Sequence, residues 1–352
     1  MELKRLNAVT VAQLDAFDEV IDVRSPAEFA LDHVPAAVNC PVLDDAERAH
    51  VGTLYEQISP FDAKKIGAAL VSKNIAQHIE ERFRGRGQGW RPLVYCWRGG
   101  QRSAAMAHVL RQVGWDAATL EGGYRAYRRE VMAQLDETPQ RFRFRVVCGA
   151  TGSGKSRLLA ALAAQGALVL DLERLARHRG SLLGELPGEP QPSQKMFDSL
   201  VWSALKRLDP ARPVFVEAES KKIGQLQVPA QLLDRMREGE CLRLEVPLPE
   251  RVRFLIEEYR HFLEDPAALK EKLQCLTSRY GRAVIGRWLA QTDTGAWGEL
   301  VADLLVTHYD PSYLRAAVQN YLHYDEARRL SLERLDQTAM AYAATELLKI
   351  QP

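Results

Sequence analysis

Short apolar runs alternate with stretches of helical spacing over roughly the first 135 positions, which predicts a parallel α/β sheet. Val20-Ile21-Asp22-Val23 reads as a buried strand. Arg91-Pro92-Leu93-Val94-Tyr95 reads as another, with its proline near the start, where a missing N–H is tolerated. Met106, Val109, Leu110 and Val113 recur at helical spacing and predict a helix over 103–113, capped by Gly114. A helix over 124–135 ends this unit, and 136–140 (Asp-Glu-Thr-Pro-Gln) has the composition of a linker. The alternation then restarts. Residues 141–148 form a strand candidate, followed by a Gly-rich turn, a helix over 155–164 and further strands at 167–170 and 213–216. From about Pro249 the spacing is mostly helical, with helices expected at 250–263 and 266–280 and in the tail at 325–350. The expected domains are 1–136, 141–248 and a helical C-terminal extension of the second over 249–352.

The chain has 352 residues, enough for two domains at roughly 150 residues each. Its 46% hydrophobic and 26% charged residues exclude disorder, collagen and coiled coil as descriptions of the whole. No apolar run approaches the ~20 residues a bilayer span needs. Met1-Glu2-Leu3-Lys4-Arg5 opens no signal-peptide core, so a cytoplasmic location and no membrane partner are expected. Five scattered cysteines make no disulfide framework and are read as thiols. Cys40, Cys148, Cys241 and Cys275 lie in apolar contexts and are expected in the core, and no Cys/His spacing suggests zinc. The net charge of +1 announces no nucleic-acid partner, but two stretches are locally basic. Residues 138–170 and 82–102 contain arginines and no acid, which fits either anionic ligands or a solvated surface.

Tyr95-Cys96-Trp97-Arg98-Gly99-Gly100-Gln101-Arg102-Ser103 joins a predicted strand to a predicted helix. A cysteine there faces free backbone N–H groups and the positive end of the helix dipole. Arg98 and Arg102 add to that field, so the thiol of Cys96 is expected to ionise readily. Gly99 and Gly100 let the loop curl into an anion nest with Trp97, Gln101 and Ser103 as its other members. The plainer alternative is a buried cysteine that ends a strand.

These residues resemble the rhodanese family, as do Asp22-Val23-Arg24, His33-Val34-Pro35-Ala36-Ala37-Val38-Asn39 and Glu121-Gly122-Gly123-Tyr124. The resemblance implies that Cys96 carries a chalcogen atom. Five residues separate Cys96 from Arg102, whereas the common sulfurtransferase loop has four. The longer loop makes a wider cradle, which in relatives is associated with phosphorus-containing substrates, so the resemblance implies a substrate bulkier than thiosulfate. Asp22 and Arg24 are expected to form a structural ion pair.

Gly149-Ala150-Thr151-Gly152-Ser153-Gly154-Lys155-Ser156 fits G-x-x-x-x-G-K-[ST] between a predicted strand and a predicted helix, the context that makes it a phosphate loop. Its N–H groups should wrap a phosphate, Lys155 should reach a terminal oxygen, and Ser156 could ligate Mg²⁺. The strand that should end in a metal-binding Asp instead runs into Glu217-Ala218-Glu219. Asp171, Glu217 and Glu219 are candidates for metal or acid/base work, and an exposed strand end is the alternative for the two glutamates. No base or arginine finger of the usual types follows, so the loop is expected to hold a diphosphate without hydrolysing a nucleotide. His178-Arg179-Gly180-Ser181 reads equally as a polar loop near the phosphates or as a helix stop.

Over its whole length the chain resembles the tRNA 2-selenouridine synthase family. Further matches are Glu47-Arg48-Ala49-His50-Val51-Gly52-Thr53-Leu54-Tyr55, Asp171-Leu172-Glu173 and His308-Tyr309-Asp310-Pro311. The resemblance implies a rhodanese-like parallel-sheet domain followed by a P-loop α/β domain with a helical extension. It also implies two reactions on the wobble 2-thiouridine of tRNA: geranylation of sulfur by geranyl diphosphate, then replacement of the S-geranyl group by selenium from selenophosphate. Cys96 would carry selenium, and Arg98 and Arg102 would hold the phosphate oxyanion. No tightly bound cofactor is expected, with Mg²⁺ the one ion that Ser156 could ligate. Rival readings are an ATP-dependent tRNA persulfide sulfurtransferase, a cysteine phosphatase (Cys-x5-Arg describes those too) and a nucleotide-gated adaptor. The sequence fixes neither the oligomeric state nor the tRNAs chosen.

Overall fold

The computed structural model describes residues 8–349. The chain divides into two compact units, one of residues 1–134 with 193–203, the other of residues 135–192 with 204–352. The segment 193–203, which the sequence reading placed in the second domain, thus packs with the first.

The first unit is a five-stranded parallel sheet. Its strands are β1 (Ala8–Val9), β2 (Glu19–Asp22), β3 (Val38–Asn39), β4 (Pro92–Tyr95) and β5 (Ala118–Leu120), in the order β1-β5-β4-β2-β3. Parallel neighbours require crossover connections, which bring helices over the sheet and bury its central strands. All four residues of β4 are accordingly buried, and Ile21, Val23 and Val94 pack against Met106 and Leu110. Helices α1 (Pro26–Leu31), α2 (Gln101–Val113) and α3 (Gly123–Glu137) are the connections that matter for the site. Gly114 ends α2 with φ +109, as its capping role requires. The expected linker at 136–140 is instead the end of α3 and a short 3-10 turn, Thr138–Arg141. Asp22 and Arg24 form the expected ion pair, 2.6 Å apart and fully buried. The Arg24 guanidinium also lies 4.0 Å from the centre of the Tyr124 ring. Asp32, also buried, accepts from the hydroxyls of Tyr124 and Ser199, each at 2.8 Å.

The second unit contains β6 (Phe144–Gly149), β7 (Leu168–Leu170), β8 (Val214–Glu217), the short hairpin β9 (Lys222–Ile223) and β10 (Leu226–Gln227), β11 (Glu240–Glu245) and β12 (Arg328–Ser331). Its main sheet is parallel, in the order β12-β11-β6-β8-β7, so β6 is central and its C-terminal end opens the phosphate loop. Val147, Leu242 and Leu244 on one face meet helices α4 (Lys155–Ala164), α6 (Leu248–Glu258) and α8 (Gln337–Leu348). The short α5 (Leu172–Ala176) follows β7, and α7 (Asp310–Asn320) lies in the helical region.

Several sequence expectations are corrected. The tail is not one helix from 325: Arg328–Ser331 adds an edge strand beside β11, and α8 begins only after the Asp336 N-cap. Its predicted last residue, Ile350, lies outside the described residues. The 250–263 helix is broken at Tyr259, where φ −108 and ψ 30 leave the helical region. The next one stops at Gln274. Cys40, Cys148 and Cys241 are buried as expected, but Cys275 is exposed. Among the described residues, no helix is long and apolar enough to cross a membrane.

Candidate active sites in the two units

Cys96 follows β4 directly, and Gly100 is the N-cap of α2. Its sulfur accepts the Gly100 N–H at 3.3 Å and lies 3.2 Å from the Ser103 hydroxyl. Burial by itself would push the thiol up. The Ser103 hydroxyl, the Ser103 and Arg98 N–H groups and the Arg102 charge outweigh burial and hold it below its ordinary value. Cys96 is only 4% exposed and borders the core, but Arg98, Gly100 and Gln101 above it are exposed. The arrangement is that of a reactive thiolate, with N–H donors aimed at sulfur at a helix N-terminus.

The Gly122-Gly123-Tyr124 segment fixes this loop. Tyr124 N–H donates to the Cys96 carbonyl at 2.8 Å and Arg125 N–H to that of Trp97 at 3.1 Å. The backbones meet so closely that a Cβ on Gly123 would lie 2.3 Å from the Cys96 carbonyl oxygen. Gly123→Ala is therefore expected to displace the loop and lower the stability of the first unit by roughly 2–4 kcal/mol, read from its thermal or urea unfolding. Unfolding indistinguishable from wild type would contradict the close packing.

Arg98 projects to solvent, as an oxyanion holder would. Arg102 does not stand free: it pairs with Glu28 at 3.0 Å, and Glu28 also accepts the Ser25 N–H at 3.1 Å. Sequence reasoning missed Glu28. Its only local signal was Ser25-Pro26-Ala27-Glu28, the start of a capped helix.

In the second unit Gly149 ends β6 and Lys155 begins α4, with positive φ at Gly152 (+79) and Gly154 (+76). Lys155 Nζ contacts the Gly149 carbonyl at 3.1 Å. Ser153 is buried, with its hydroxyl unpartnered. The loop borders a cleft of about 920 Å³. Its lining includes Lys155, Ser156, Glu258 and a cluster of three further glutamates, as well as the apolar side chains of Leu182, Leu186, Phe254, Leu255, Tyr309 and Ala317.

The three glutamates are Glu173, Glu217 and Glu219, each offering a carboxylate oxygen within 4.8 Å of the others. Glu217 is 5% and Glu219 9% exposed, which overturns the alternative of an exposed strand end. Asp171 stands apart from the trio. Its carboxylate accepts the Arg174 N–H at 2.9 Å and caps α5. Glu173 takes the place expected of Asp171 and receives the Ser156 hydroxyl at 3.3 Å. Arg177, just before the His178–Ser181 segment, stops α5 at φ +50, and Gly180 within the segment lies beside the trio, where a Cβ would lie 2.8 Å from Glu173 Oε1.

Burial, together with the charges of Glu217 and Asp171, pushes Glu173 up to about 8 against the pull of Lys155. Burial and its two neighbours likewise hold Glu219 well above the carboxylate range. Hard oxygen donors crowded this way fit a divalent cation such as Mg²⁺, and Glu217 Oε1 has no protein partner.

These shifts fix the sign of a pH effect. A carboxyl that ionises near 8 when folded and near ~4.3 when unfolded binds more protons in the folded state across that window. Its contribution to stability therefore falls as pH rises through the window. The second unit should melt at lower temperature at about pH 9 than at about pH 5, and Glu219→Gln should flatten the difference. A pH dependence equal in both proteins would contradict the crowding.

The profile of the family described as "tRNA 2-selenouridine synthase AAA domain" matches residues 142–329, more than half of the chain. A relative from Shewanella halifaxensis described as "tRNA 2-selenouridine synthase" is 33% identical over 346 residues, 89% of this chain and 93% of its own. The chain belongs to the tRNA 2-selenouridine synthase family. A second profile, "Rhodanese-like domain", matches residues 5–130 and contains the Cys96 loop. Similar synthases come from Alcanivorax borkumensis, 32% identical over 84% of this chain and 88% of its own, and from Nitrosomonas europaea. The latter is 37% identical over 68% of this chain, a stretch that spans 63% of that relative's length. Both the phosphate loop and the glutamate trio lie inside the segment matched by the synthase profile.

Proposed function

We propose that this member of the synthase family converts the wobble 2-thiouridine of tRNA to 2-selenouridine in two steps, one in each unit. The observation that carries the reading is the pairing, in one chain, of a donor-lined thiol at Cys96 with a phosphate loop whose cleft is also lined by apolar side chains.

In the first step the thiocarbonyl sulfur attacks C1 of geranyl diphosphate. The C1–O bond breaks, diphosphate leaves and the nucleobase N3 proton is lost. The N–H groups of the loop and Lys155 would receive the diphosphate, and the apolar side chains lining the cleft would take the geranyl chain. A diphosphate already carries its own leaving group, which accounts for a loop without the usual hydrolytic residues. Mg²⁺ would be held by Glu173, Glu217, Glu219 and Ser156, and would supply charge neutralisation of the departing diphosphate.

In the second step selenium from selenophosphate replaces the S-geranyl group. Net, the C2–S bond breaks and geranylthiol leaves, C2–Se forms, and phosphorus exchanges selenium for oxygen from water. The Cys96 thiolate attacks phosphorus: S–P forms as P–Se breaks, the hydrogen selenide released displaces geranylthiol at C2, and water then hydrolyses S–P to return the thiolate and phosphate. Selenium stays at the selenide level throughout, so Cys96 carries the phosphoryl group rather than selenium, while the loop N–H groups with Arg98 and Arg102 hold the selenophosphate oxyanion. Arg102 does so as one half of its pair with Glu28.

The test is mass spectrometry of nucleosides from tRNA incubated with the protein, geranyl diphosphate and selenophosphate. The reading predicts S-geranyl-2-thiouridine without selenophosphate and 2-selenouridine with it. A thiolated product formed only with ATP would contradict it.

A further inference from the structure

Asp310 belongs to His308-Tyr309-Asp310-Pro311, a motif to which the chemistry above gives no task. Its carboxylate takes both ends of the Arg251 guanidinium, Nη2–Oδ1 at 2.6 Å and Nη1–Oδ2 at 3.0 Å. The remaining N–H of that fork, Nε, donates to the Thr151 carbonyl in the phosphate loop at 2.8 Å. Arg251 is 6% exposed, so the fork is locked among protein atoms. The same helix makes a second contact with the loop, since the Gly149 N–H donates to the Tyr313 hydroxyl at 2.6 Å. Just beyond that helix, the Tyr321 hydroxyl exchanges hydrogen bonds with the backbone of Glu219, at 2.7 and 2.9 Å.

The geometry has a direct consequence. A trans peptide is planar, with its C=O and N–H on opposite sides. Holding the Thr151 carbonyl toward Arg251 turns the N–H of the same peptide, that of Gly152, away from Arg251. Gly152 itself has no room to shift sideways, because a Cβ there would lie 2.8 Å from Leu255. We infer that Arg251 and Asp310 are positioning residues of the phosphate loop, which orient the 151–152 peptide so that the Gly152 N–H is presented to a bound diphosphate. The pair touches no substrate; it acts through the loop. The inference rests on the reading of that loop as a diphosphate holder.

Calorimetric titration of the full-length protein with inorganic pyrophosphate tests it, alongside selenation of tRNA supplied already S-geranylated. Asp310→Asn removes the charge that fixes the fork. It should weaken pyrophosphate binding about 10- to 100-fold, the worth of one charge-assisted hydrogen bond. Selenation of the pre-geranylated tRNA, which needs no diphosphate, should stay at the wild-type rate. Arg251→Lys keeps a charge beside Asp310 but cannot hold Asp310 and Thr151 together, so it should fold and show a similar loss. Wild-type affinity in both variants would overturn the inference, and so would a parallel fall in affinity and selenation, which signals general damage. A wild-type protein that binds no pyrophosphate would overturn the diphosphate reading itself, and this inference with it.

Discussion

Cys96→Ala is expected to abolish 2-selenouridine formation, by about 10⁴-fold or more, and to leave S-geranyl-2-thiouridine accumulating at close to the wild-type rate. The thiolate is what the loop is built around: the Gly100 N–H and the Ser103 hydroxyl face the sulfur, and α2 begins five residues on. Alanine leaves those donors with no anion to hold and removes the nucleophile that frees selenium from phosphorus. Serine would not substitute, because a hydroxyl at the same place stays protonated near neutral pH. The geranyl step uses residues of the other unit and should not respond. Nucleoside mass spectrometry reads both products from one digest. Loss of both products together, or of neither, would contradict the division of labour.

Lys155→Ala is expected to slow geranyl transfer by about 10²- to 10³-fold, the range seen when one preorganised donor to developing charge is removed. Two effects add. The diphosphate loses its cationic partner, and the glutamate trio loses the charge that draws its carboxyls down toward ionisation. Without Lys155 the trio should retain protons to higher pH, which weakens any divalent cation held there. Lys155→Arg should not rescue, because a planar fork does not fit where a point charge contacts the Gly149 carbonyl at 3.1 Å. Selenation of pre-geranylated tRNA should be unaffected. Geranyl transfer by Lys155→Ala within a few-fold of wild type would refute the role of the loop.

Local pattern carried much of the architecture. The β4–Cys96–α2 and β6–Gly149–α4 junctions were legible because strand, glycines and helix follow one another without a break, and each element's spacing agrees with its neighbour's. Strand β11 was not legible: Glu240, Arg243 and Glu245 interrupt its apolar residues, yet it lies between β6 and β12. Arg328–Ser331 is harder still, being short and basic. It is a strand only because β11 offers a backbone edge, with Glu245 3.7 Å from Arg329. The sites divide the same way. Residues within one loop, such as Cys96 to Ser103 or Gly149 to Ser156, were found from spacing. Glu28, Glu173, Arg251 and Asp310 reach their partners through the fold; the capped-helix start at Glu28 and the family-matching segments around Glu173 and Asp310 name none of those partners. Asp171 was the candidate because it follows the strand, but Glu173, two residues on in the first turn of α5, joins the trio and Asp171 is the cap.

Selenation depends on Cys96 as the nucleophile that frees selenium from phosphorus. Incubating the protein with selenophosphate alone, without tRNA, and following hydrogen selenide release together with peptide mass spectrometry isolates that step. Selenide release with one phosphoryl group on the peptide that contains Cys96, both absent from Cys96→Ala, is the predicted result. Efficient selenation of geranylated tRNA by Cys96→Ala would contradict it.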